Sequence, residues 1–307
     1  MCHGNGCGGY ELNIKRRVDL HIHTNISDGV LSPEEVIDEA VRNRVSVISI
    51  TDHDTTEAYS DTLFSYAQKK GITLVSGVEI STKTDKAGIH VLGYHFDLNN
   101  KILKTRLYEA RNTRHSYLHD VSIKLQELGY IVNVAELDRI DAVAKSHIAQ
   151  DIVDNKENHI LLQEVFGHIP ARGEFIETIM NRGCPAYVKK KSMTPAEAAS
   201  LIRQAGGKVV LAHPVAYRYE KGLTEEDIHQ LVQEMQPDGI EANYIYIDRN
   251  HRRINETAIW NEFARQHQLH VTIGSDFHRR DGSHPEIGLA NEGIEMDEKD
   301  VVFLFTG

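Results

Sequence analysis

Short apolar runs alternate with amphipathic stretches along most of the chain. Four runs in the N-terminal part have the character of strands, RVDLHIH, VSVISITDHD, ITLVSGVEIST and IHVLGYHFD, and three follow nearer the C-terminus, KVVLAHP, DGIEANY and LHVTIGSDFH. Between them, apolar residues recur at helical spacing; SPEEVIDEAVRNR has Ser32 as N-cap and Pro33 at the first helical position. Near-continuous apolar runs are typical of strands buried on both faces of a parallel sheet. The pattern predicts an α/β fold of repeated β-α units.

The repeated pattern is interrupted between residues 99 and 189. This segment is rich in charge and has mostly helical character, in the stretches LKTRLYEARNTRHSYLHDVSIKLQELG, SHIAQDIVDN and EFIETIMNRG. Because β-α units lie on both sides of the interruption, we expect a (β/α) barrel that carries an inserted helical cap. We therefore predict a flexible tail over 1–17, a barrel built from 18–98 and 190–307, and a helical insertion over 99–189.

Composition narrows the class of protein. The 307 residues include 34 Lys and Arg against 45 Asp and Glu, and the net charge of −11 argues against stable binding of duplex DNA. No apolar run is long enough to span a bilayer and the N-terminal segment lacks the apolar middle of a signal peptide, so we expect a cytoplasmic protein without a membrane partner. Cys2, Cys7 and Cys184 are too few and scattered for a disulfide framework. Cys2, His3 and Cys7 form either a soft-metal site or, as we favour, a Gly-rich flexible tail.

Histidines and carboxylates stand where the predicted strands end. In β/α barrels the carboxyl ends of the strands converge on one face, where active sites are built. Because side chains alternate along a strand, His21 and His23 lie on the same side. A lone His-x-His pair is a weak signal, but histidines at three or more strand ends, joined by carboxylates, predict a metal site. The candidate ligands are His21, His23, Asp28, His53, Glu79, His90, His213, Asp276 and His278.

The types of ligand narrow the choice of metal. Imidazole nitrogens with a minority of carboxylates suit zinc, iron or manganese better than calcium or magnesium. Neutral histidines add no charge, so such a site can hold several divalent ions and attract phosphate within an acidic protein. A carboxylate that bridges two ions, for which Glu79 is the strongest candidate, brings them to the spacing of about 3.5–4 Å used in two-metal phosphoryl chemistry.

Six segments, DLHIHTNISDG, ISITDHDT, GVEIS, IHVLGY, VVLAHP and IGSDFH, resemble in order and spacing the motifs of the PHP (polymerase and histidinol phosphatase) family. The resemblance covers nearly the whole chain outside the insertion. It implies a distorted (β/α)7 barrel, a centre of three divalent ions (zinc, manganese or iron) and hydrolysis of phosphoesters. Carried over by motif, His21, His23, Glu79 and Asp276 hold one ion, Glu79, His90 and His213 a second, and Asp28, His53 and His278 a third.

The insertion after HVLGY, ending in PAYVKK and followed by AGGKVVLAHP, resembles a bacterial subfamily of nucleotide phosphoesterases. Its members include 3′,5′-nucleoside bisphosphate phosphatases and enzymes that trim short RNAs from the 5′ end. The subfamily's Arg-Pro-His-Ile-Ala pattern is replaced here by Lys145-Ser146-His147-Ile148-Ala149. A lysine offers a phosphate a point charge but not a bidentate fork. Lys145 and His147 are candidates for substrate binding, with a solvated helix face as the alternative.

The predicted reaction is hydrolysis of a phosphorylated nucleotide or short 5′-phosphorylated oligonucleotide by a hydroxide held between two ions. Glu79, Asp28 and His213 form the predicted catalytic centre. Asp19 and Asp52, beside ligand positions, either orient imidazoles or make structural hydrogen bonds. Two other functions stay open: a histidinol-phosphate phosphatase on the same fold, and a noncatalytic metal-binding module of a larger assembly.

Overall fold

A computed structural model of the chain describes residues 17–140, 143–189, 192–248, 250–290, 296 and 299–306. The predicted tail, with Cys2, His3 and Cys7, lies outside these residues except for Arg17. The strands of the described chain are β1 (Arg17–Ile22), β2 (Val45–Ile50), β3 (Thr73–Lys83), β4 (Gly88–Tyr94), β5 (Lys208–Leu211), β6 (Gly239–Asn243), β7 (Ile245–Ile247), β8 (Arg253–Asn255) and β9 (His270–Ile273).

Seven of these strands form one sheet in the order β1-β2-β3-β4-β5-β6-β9. Neighbours are parallel except at β4, which runs antiparallel to both β3 and β5. β7 and β8 form a separate antiparallel hairpin. The two edge strands approach each other at their carboxyl ends, where Asp276 N–H donates to His21 O (2.8 Å) and His23 N–H to Phe277 O (3.0 Å). The predicted α/β class, with a mostly parallel sheet, is confirmed.

Helices cover the sheet and make up most of the segment between β4 and β5. They are α1 (Pro33–Arg42), α2 (Asp61–Lys69), α3 (Lys101–Glu127), α4 (Val134–Leu137), α5 (Lys145–Asp154), α6 (His159–Phe166), α7 (Arg172–Phe175), α8 (Pro195–Gln204), α9 (Pro214–Lys221), α10 (Glu225–Met235) and α11 (Thr257–His267). Short 3₁₀ turns lie at Lys156–Asn158 and Val302–Phe305, and α7 continues as a π-helical turn, Ile176–Met180.

Side-chain caps mark the starts of several helices, among them α1 and α2. Ser32 caps α1 as predicted, within a reciprocal capping box. The sequence pattern predicts a helix over the stretch TEAYSDTLFSYAQKKG, ending at Gly71, but α2 begins only at Asp61. The preceding turn stays outside the helix because the Tyr59 hydroxyl is bound to the sheet, 2.6 Å from Ile50 O and 2.9 Å from Val75 O. A tertiary contact therefore overrides the helical pattern there.

The apolar core divides into clusters around the seven-stranded sheet and a separate cluster within residues 117–186. α3 connects them: Leu103 packs in the sheet core, whereas Val121 and Leu125 pack with Phe175 in the separate cluster. At about 1.5 Å per residue, the 27 residues of α3 span about 40 Å. No helix of the described chain has the length and apolar character needed to cross a membrane.

Candidate metal centre

The carboxyl end of the sheet gathers the side chains that were predicted as metal ligands. His21 is near the end of β1, Glu79 lies in the second half of β3, and Asp276 follows β9. His21 and His23 are fully buried, and Glu79 is 1% exposed. The structure brings together all nine predicted residues, His21, His23, Asp28, His53, Glu79, His90, His213, Asp276 and His278.

His21, His23, Glu79 and Asp276 form the most deeply buried group. The Nε2 atoms of His21 and His23 lie 3.1 Å apart, and each is 3.2 Å from Glu79 Oε2. Asp276 Oδ1 is 3.2 Å from the first nitrogen and 3.1 Å from the second. Two nitrogens and two carboxylate oxygens thus converge, an arrangement that requires a proton or a metal ion between them.

Glu79 is the common partner of the histidines. Its Oε2 lies 3.2 Å from His53 Nδ1, and its Oε1 lies 2.9 Å from His90 Nδ1 and 3.1 Å from His213 Nε2. With the β1 pair, five imidazole rings contact this one carboxylate. Burial acts to raise the pKa of Glu79, but the charges of His90, His21 and His53 outweigh it and hold that pKa well below its usual value.

Asp28 lies at the open side of the cluster. Its side chain is 49% exposed, and its oxygens lie 3.4 Å from His278 Nε2, 3.6 Å from His23 Nδ1 and 3.7 Å from His53 Nε2. The His278 and His23 rings stack with centroids 4.1 Å apart. Solvent therefore reaches the centre beside Asp28 and beside His90, whose side chain is 34% exposed, while Glu79 itself is buried.

Several imidazole nitrogens in the site lack the partners that buried polar atoms require. Within the described part of the chain, the Nδ1 atoms of His23, His53, His90 and His213 are buried and make no hydrogen bond. Two of them lie near a Glu79 oxygen, but without hydrogen-bond geometry. Unpaired imidazole nitrogens facing carboxylates are the donor set of a divalent transition ion. The buried clusters therefore indicate metal binding.

Glu241, on β6, was not predicted as a site residue. Its buried carboxylate lies 3.0 and 3.1 Å from His21 Nδ1 and accepts a hydrogen bond from His213 N–H at 2.9 Å. An Nδ1–H donated to Glu241 leaves the lone pair of His21 Nε2 facing Glu79. Gly274 permits this approach, because a Cβ there would lie 2.3 Å from the Glu241 carboxylate. The sequence signal was an acid inside the apolar run DGIEANY.

Two other contacts to Asp276 were also missed. His284 Nδ1 lies 3.6 Å from Asp276 Oδ2, and its ring packs on His278 with centroids 4.9 Å apart. The Tyr244 hydroxyl donates to Asp276 Oδ2 at 3.1 Å. His284 lies in the loop after β9, where no periodic pattern marks it. Tyr244 lies just before β7, and its proximity to Asp276 depends on the approach of β6 and β9.

Asp19 and Asp52 make structural hydrogen bonds rather than contacts to the imidazole rings. Asp52 accepts from Thr24 N–H (2.7 Å), from Thr24 Oγ1 (2.6 Å) and from Ser27 Oγ (2.6 Å). Asp19 accepts from the backbone N–H of Ser275 at 2.9 Å. Burial raises the pKa of Asp19 to about 6 in spite of its backbone hydrogen bonds. Of the two roles considered for these residues, the structure shows the structural one: they hold the loops that carry the ligands.

Positive charge is divided unevenly among the histidines. Burial disfavours protonated rings, and it lowers the pKa of His53 to about 3. For His23, burial is outweighed by hydrogen bonds to Asp276 and Glu79, which raise its pKa to about 10. Without a metal ion, a proton on His23 balances the buried carboxylates. A metal ion in the same place would replace that proton.

The two substrate-binding candidates on α5 lie on different sides of the helix. Lys145 is half-buried; its Nζ donates to Met180 O and Asn181 Oδ1, each at 3.1 Å, and it lines a cavity that reaches the end of β3. His147 is exposed, its Nδ1 accepts from Ala144 N–H at 3.1 Å, and it lines a different cavity. Residues two apart on a helix do not share a face. Only Lys145 therefore lies on the side of the sheet.

A mostly parallel sheet with a buried cluster of histidines and carboxylates at its carboxyl edge defines a metal-binding α/β protein. Residues 19–204 match the PHP domain, and the chain belongs to this family. The family predicted from the six motifs is confirmed. The matched region ends before His213, Asp276 and His278, and the structure places these three residues beside the other predicted ligands.

Two characterised relatives are similar over most of their length. The 5′-3′ exoribonuclease Rnm of Escherichia coli is 31% identical over 265 residues, 85% of this chain and 85% of the relative. The 3′,5′-nucleoside bisphosphate phosphatase of Chromobacterium violaceum is 27% identical over 278 residues, 88% of this chain and 91% of the relative. A solved structure of a Chromobacterium violaceum amidohydrolase with bound sulfate shares the fold, with a TM-score of 0.61, 24% identity, and coverage of 90% and 91%.

Proposed function

We propose that this chain is a metal-dependent phosphoesterase that hydrolyses phosphate esters of 3′,5′-nucleoside bisphosphates or of short 5′-phosphorylated oligonucleotides. Relatives named for these activities match most of the chain. The observation that carries the proposal is the buried carboxylate of Glu79 in contact with five imidazole rings. Such a centre suits phosphoryl chemistry, in which charge on phosphate oxygens must be neutralised.

The donor set fits three divalent ions of zinc, manganese or iron. The proposed ligands are His21, His23, Glu79 and Asp276 for one ion, Glu79, His90 and His213 for a second, and Asp28, His53 and His278 for a third. Bound divalent ions supply an activated water and Lewis-acid stabilisation of phosphate oxygens. Glu79, shared between sets, and the ligands Asp28 and His213 are the residues we assign to the catalytic centre.

The chain's own groups organise this chemistry. Glu241 binds His21 Nδ1 and so keeps its Nε2 directed at the cluster. Tyr244 holds Asp276 in position through its hydroxyl. Asp28 borders the open side, where a phosphate can enter. The carboxylate of Glu79 is itself buried, which strengthens the electrostatic contacts that it makes.

The sheet is proposed to be a distorted seven-stranded barrel with an inserted cap. The hydrogen bonds between the ends of β1 and β9 support closure of the sheet. The separate apolar cluster within 117–186 supports a helical unit over 99–189 inserted into a barrel of 18–98 and 190–307. In this arrangement α3 leads from the sheet to the cap and α8 follows the return.

The test is a substrate panel on protein stripped with chelator and reloaded with manganese, zinc or iron. The panel contains a 3′,5′-nucleoside bisphosphate, a short 5′-phosphorylated RNA and histidinol phosphate, with phosphate or mononucleotide release measured. We expect hydrolysis of at least one of the nucleotide substrates in the reloaded protein and none in the stripped protein.

Two outcomes would contradict the proposal. Fast release from histidinol phosphate alone would identify the alternative phosphatase. Full metal loading without hydrolysis of any member of the panel would favour a noncatalytic metal-binding module.

A further inference from the structure

Four basic side chains line one cavity beside the helical segment. Lys83, Lys145, Arg182 and Lys189, which we call the basic cleft, surround a space of about 1380 Å³. Lys83 is the last residue of β3, Lys145 is the first of α5, and the other two follow the π-helical turn. Among the described residues, none of the four has a carboxylate partner; Lys145 donates only to Met180 O and Asn181 Oδ1.

The balance of charge in this cavity is positive, although the whole chain is acidic. Its lining includes one further cation, Lys86, which is paired with Asp227. The other acids are Asp85 and Glu234, so five cations face three carboxylates. Lys83 and Lys145 line the same cavity, and burial together with the nearby Lys83 lowers the pKa of Lys145. An excess of like charges in one cavity favours an anionic ligand.

The basic cleft is connected to the metal centre along β3. Side chains alternate on a strand, so Glu79, Ser81 and Lys83 lie on one side of β3. Their exposure rises in that order, from buried to half-buried to exposed. A second cavity of about 930 Å³ shares Lys83 and Lys189 with the cleft and also reaches Ser81 and Asp54. The path from Glu79 to Lys83 covers about 13 Å at 3.3 Å per residue.

Polar groups without partners occur along the same path. The Tyr117 hydroxyl and Ser81 Oγ are buried and make no hydrogen bond to the described chain. Tyr117, 5% exposed, lines both cavities. Tyr187 lines the cleft as well, and a tyrosine ring offers a surface on which a base of any type can stack. Donors and rings of this kind suit a nucleic acid strand better than inorganic phosphate.

We propose, on the basis of the proposed function, that the basic cleft binds the downstream phosphodiester groups of a single-stranded oligonucleotide whose 5′-phosphorylated end lies at the metal centre. The two phosphates of a nucleoside 3′,5′-bisphosphate are too close together for one to lie at Glu79 and the other at Lys83. In the second cavity, acids outnumber cations by four to three. That part of the path takes the uncharged sugar and base. The oligonucleotide is then the preferred substrate over the bisphosphate.

The experiment compares the double variant Lys83→Ala and Lys189→Ala with wild type and with Lys156→Ala. Lys156 is an exposed lysine in the same helical segment that lines neither cavity. Binding of a 3′-fluorescein-labelled, 5′-phosphorylated pentaribonucleotide to metal-free protein is followed by anisotropy. We expect the Kd of the double variant to rise about tenfold, as for two exposed ion pairs. The slope of log Kd against log salt should fall by about 1.4, or 0.7 per phosphate contact.

A second measurement uses the manganese-loaded proteins with the pentaribonucleotide and adenosine 3′,5′-bisphosphate. We expect kcat/KM for the pentaribonucleotide, divided by kcat/KM for the bisphosphate, to fall about tenfold in the double variant. The same ratio should stay at the wild-type value in Lys156→Ala. Unchanged Kd and ratio, or an equal loss for both substrates, would overturn the proposal. If wild type hydrolyses neither substrate, the proposed function fails, and the anisotropy measurement on metal-free protein still decides whether the cleft binds the strand.

Discussion

The metal centre and the basic cleft hold their side chains in opposite ways. Each of the six predicted histidine ligands lies within 3.4 Å of a carboxylate oxygen. Five come from the carboxyl ends of strands or the residues after them, and His90 comes from the amino end of the antiparallel strand β4. The four cations of the cleft have no acidic partner in the described chain and come from a strand tip, a helix and a loop. The sheet positions the predicted metal ligands, while the helical segment supplies three of the four cations of the cleft.

This difference predicts how each region responds to substitution. A buried group with several charged partners fails completely when one member is lost, because the others are left unpaired. Replacing an exposed cation removes only its own small contribution to binding and leaves no buried partner unpaired. Substitutions in the centre should therefore abolish function, and those in the cleft should shift it.

The largest effect is expected for Glu79→Gln. The neutral amide cannot balance the five rings that contact Glu79, so metal content should fall and activity should drop by about a thousandfold or more. Initial rates and elemental analysis measure this. The matched control is Glu57→Gln, at a side chain that is 71% exposed, which should behave as wild type. Activity of the Glu79 variant within tenfold of wild type would show that Glu79 is not the centre of the site.

A smaller loss is expected for Glu241→Gln, which changes only the partner of a ligand. The amide oxygen of glutamine can still accept the His21 Nδ1–H, but the negative charge that makes the ring a stronger metal ligand is lost. We expect metal affinity to fall by about 10- to 100-fold, measured by competition with a chelator of known affinity. Glu226→Gln, an exposed acid of α10, is the control. Unchanged affinity would remove Glu241 from the site.

Metal binding should release protons, so the apparent metal affinity should rise with pH. The pKa of His23 is raised to about 10, so the metal-free protein carries this proton at neutral pH, and an ion must displace it. Apparent affinity should rise about tenfold per pH unit between pH 6 and 8 for each proton released. Calorimetry in buffers of different ionisation enthalpy counts the protons, and a count of zero would contradict this account. The same shift stabilises the metal-free fold below pH 6.5, and that stability is lost as pH rises through 10.

The smallest effects are expected for Lys145 and His147, the two substrate-binding candidates on α5. Lys145→Ala removes a cation of the basic cleft and should raise the KM for a 5′-phosphorylated oligonucleotide about threefold. His147→Ala removes only the hydrogen bond from Ala144 N–H, so KM should stay within about twofold while the free energy of unfolding falls by about 0.5–1 kcal/mol. Steady-state kinetics and denaturant unfolding measure both. A larger KM change for His147→Ala would place substrate on the other side of α5.

Strand-end residues could be predicted from the sequence because two rules act together. Alternation puts His21 and His23 on one side of β1, and the carboxyl ends of neighbouring strands meet at one edge. Both rules apply to continuous apolar runs, which this chain shows clearly. The same reasoning accounts for Glu79 and Asp276, although they are distant in sequence.

Other parts of the site depend on tertiary packing and left weaker signals. Glu241 was an acid in an apolar strand, a signal that could have been used. His284 lies in an irregular loop, and its approach to Asp276 follows from the path of that loop. The basic cleft forms only because α5 and the segment after the π-helical turn approach the end of β3. Likewise, the late start of α2 follows from the contact of Tyr59 with the sheet.

The regular geometry of β3 sets the distance between Glu79 and Lys83. Glu79 and Lys83 stand on one face of the same strand, so their separation is counted in whole residues. Inserting one residue between them would turn Lys83 to the opposite face, whereas inserting two would move it outward by about 6.6 Å and keep its direction. The distance between the two side chains therefore changes in steps of two residues. If the basic cleft binds RNA as proposed, a longer hairpin of β3 and β4 would shift the first bound phosphodiester along the RNA.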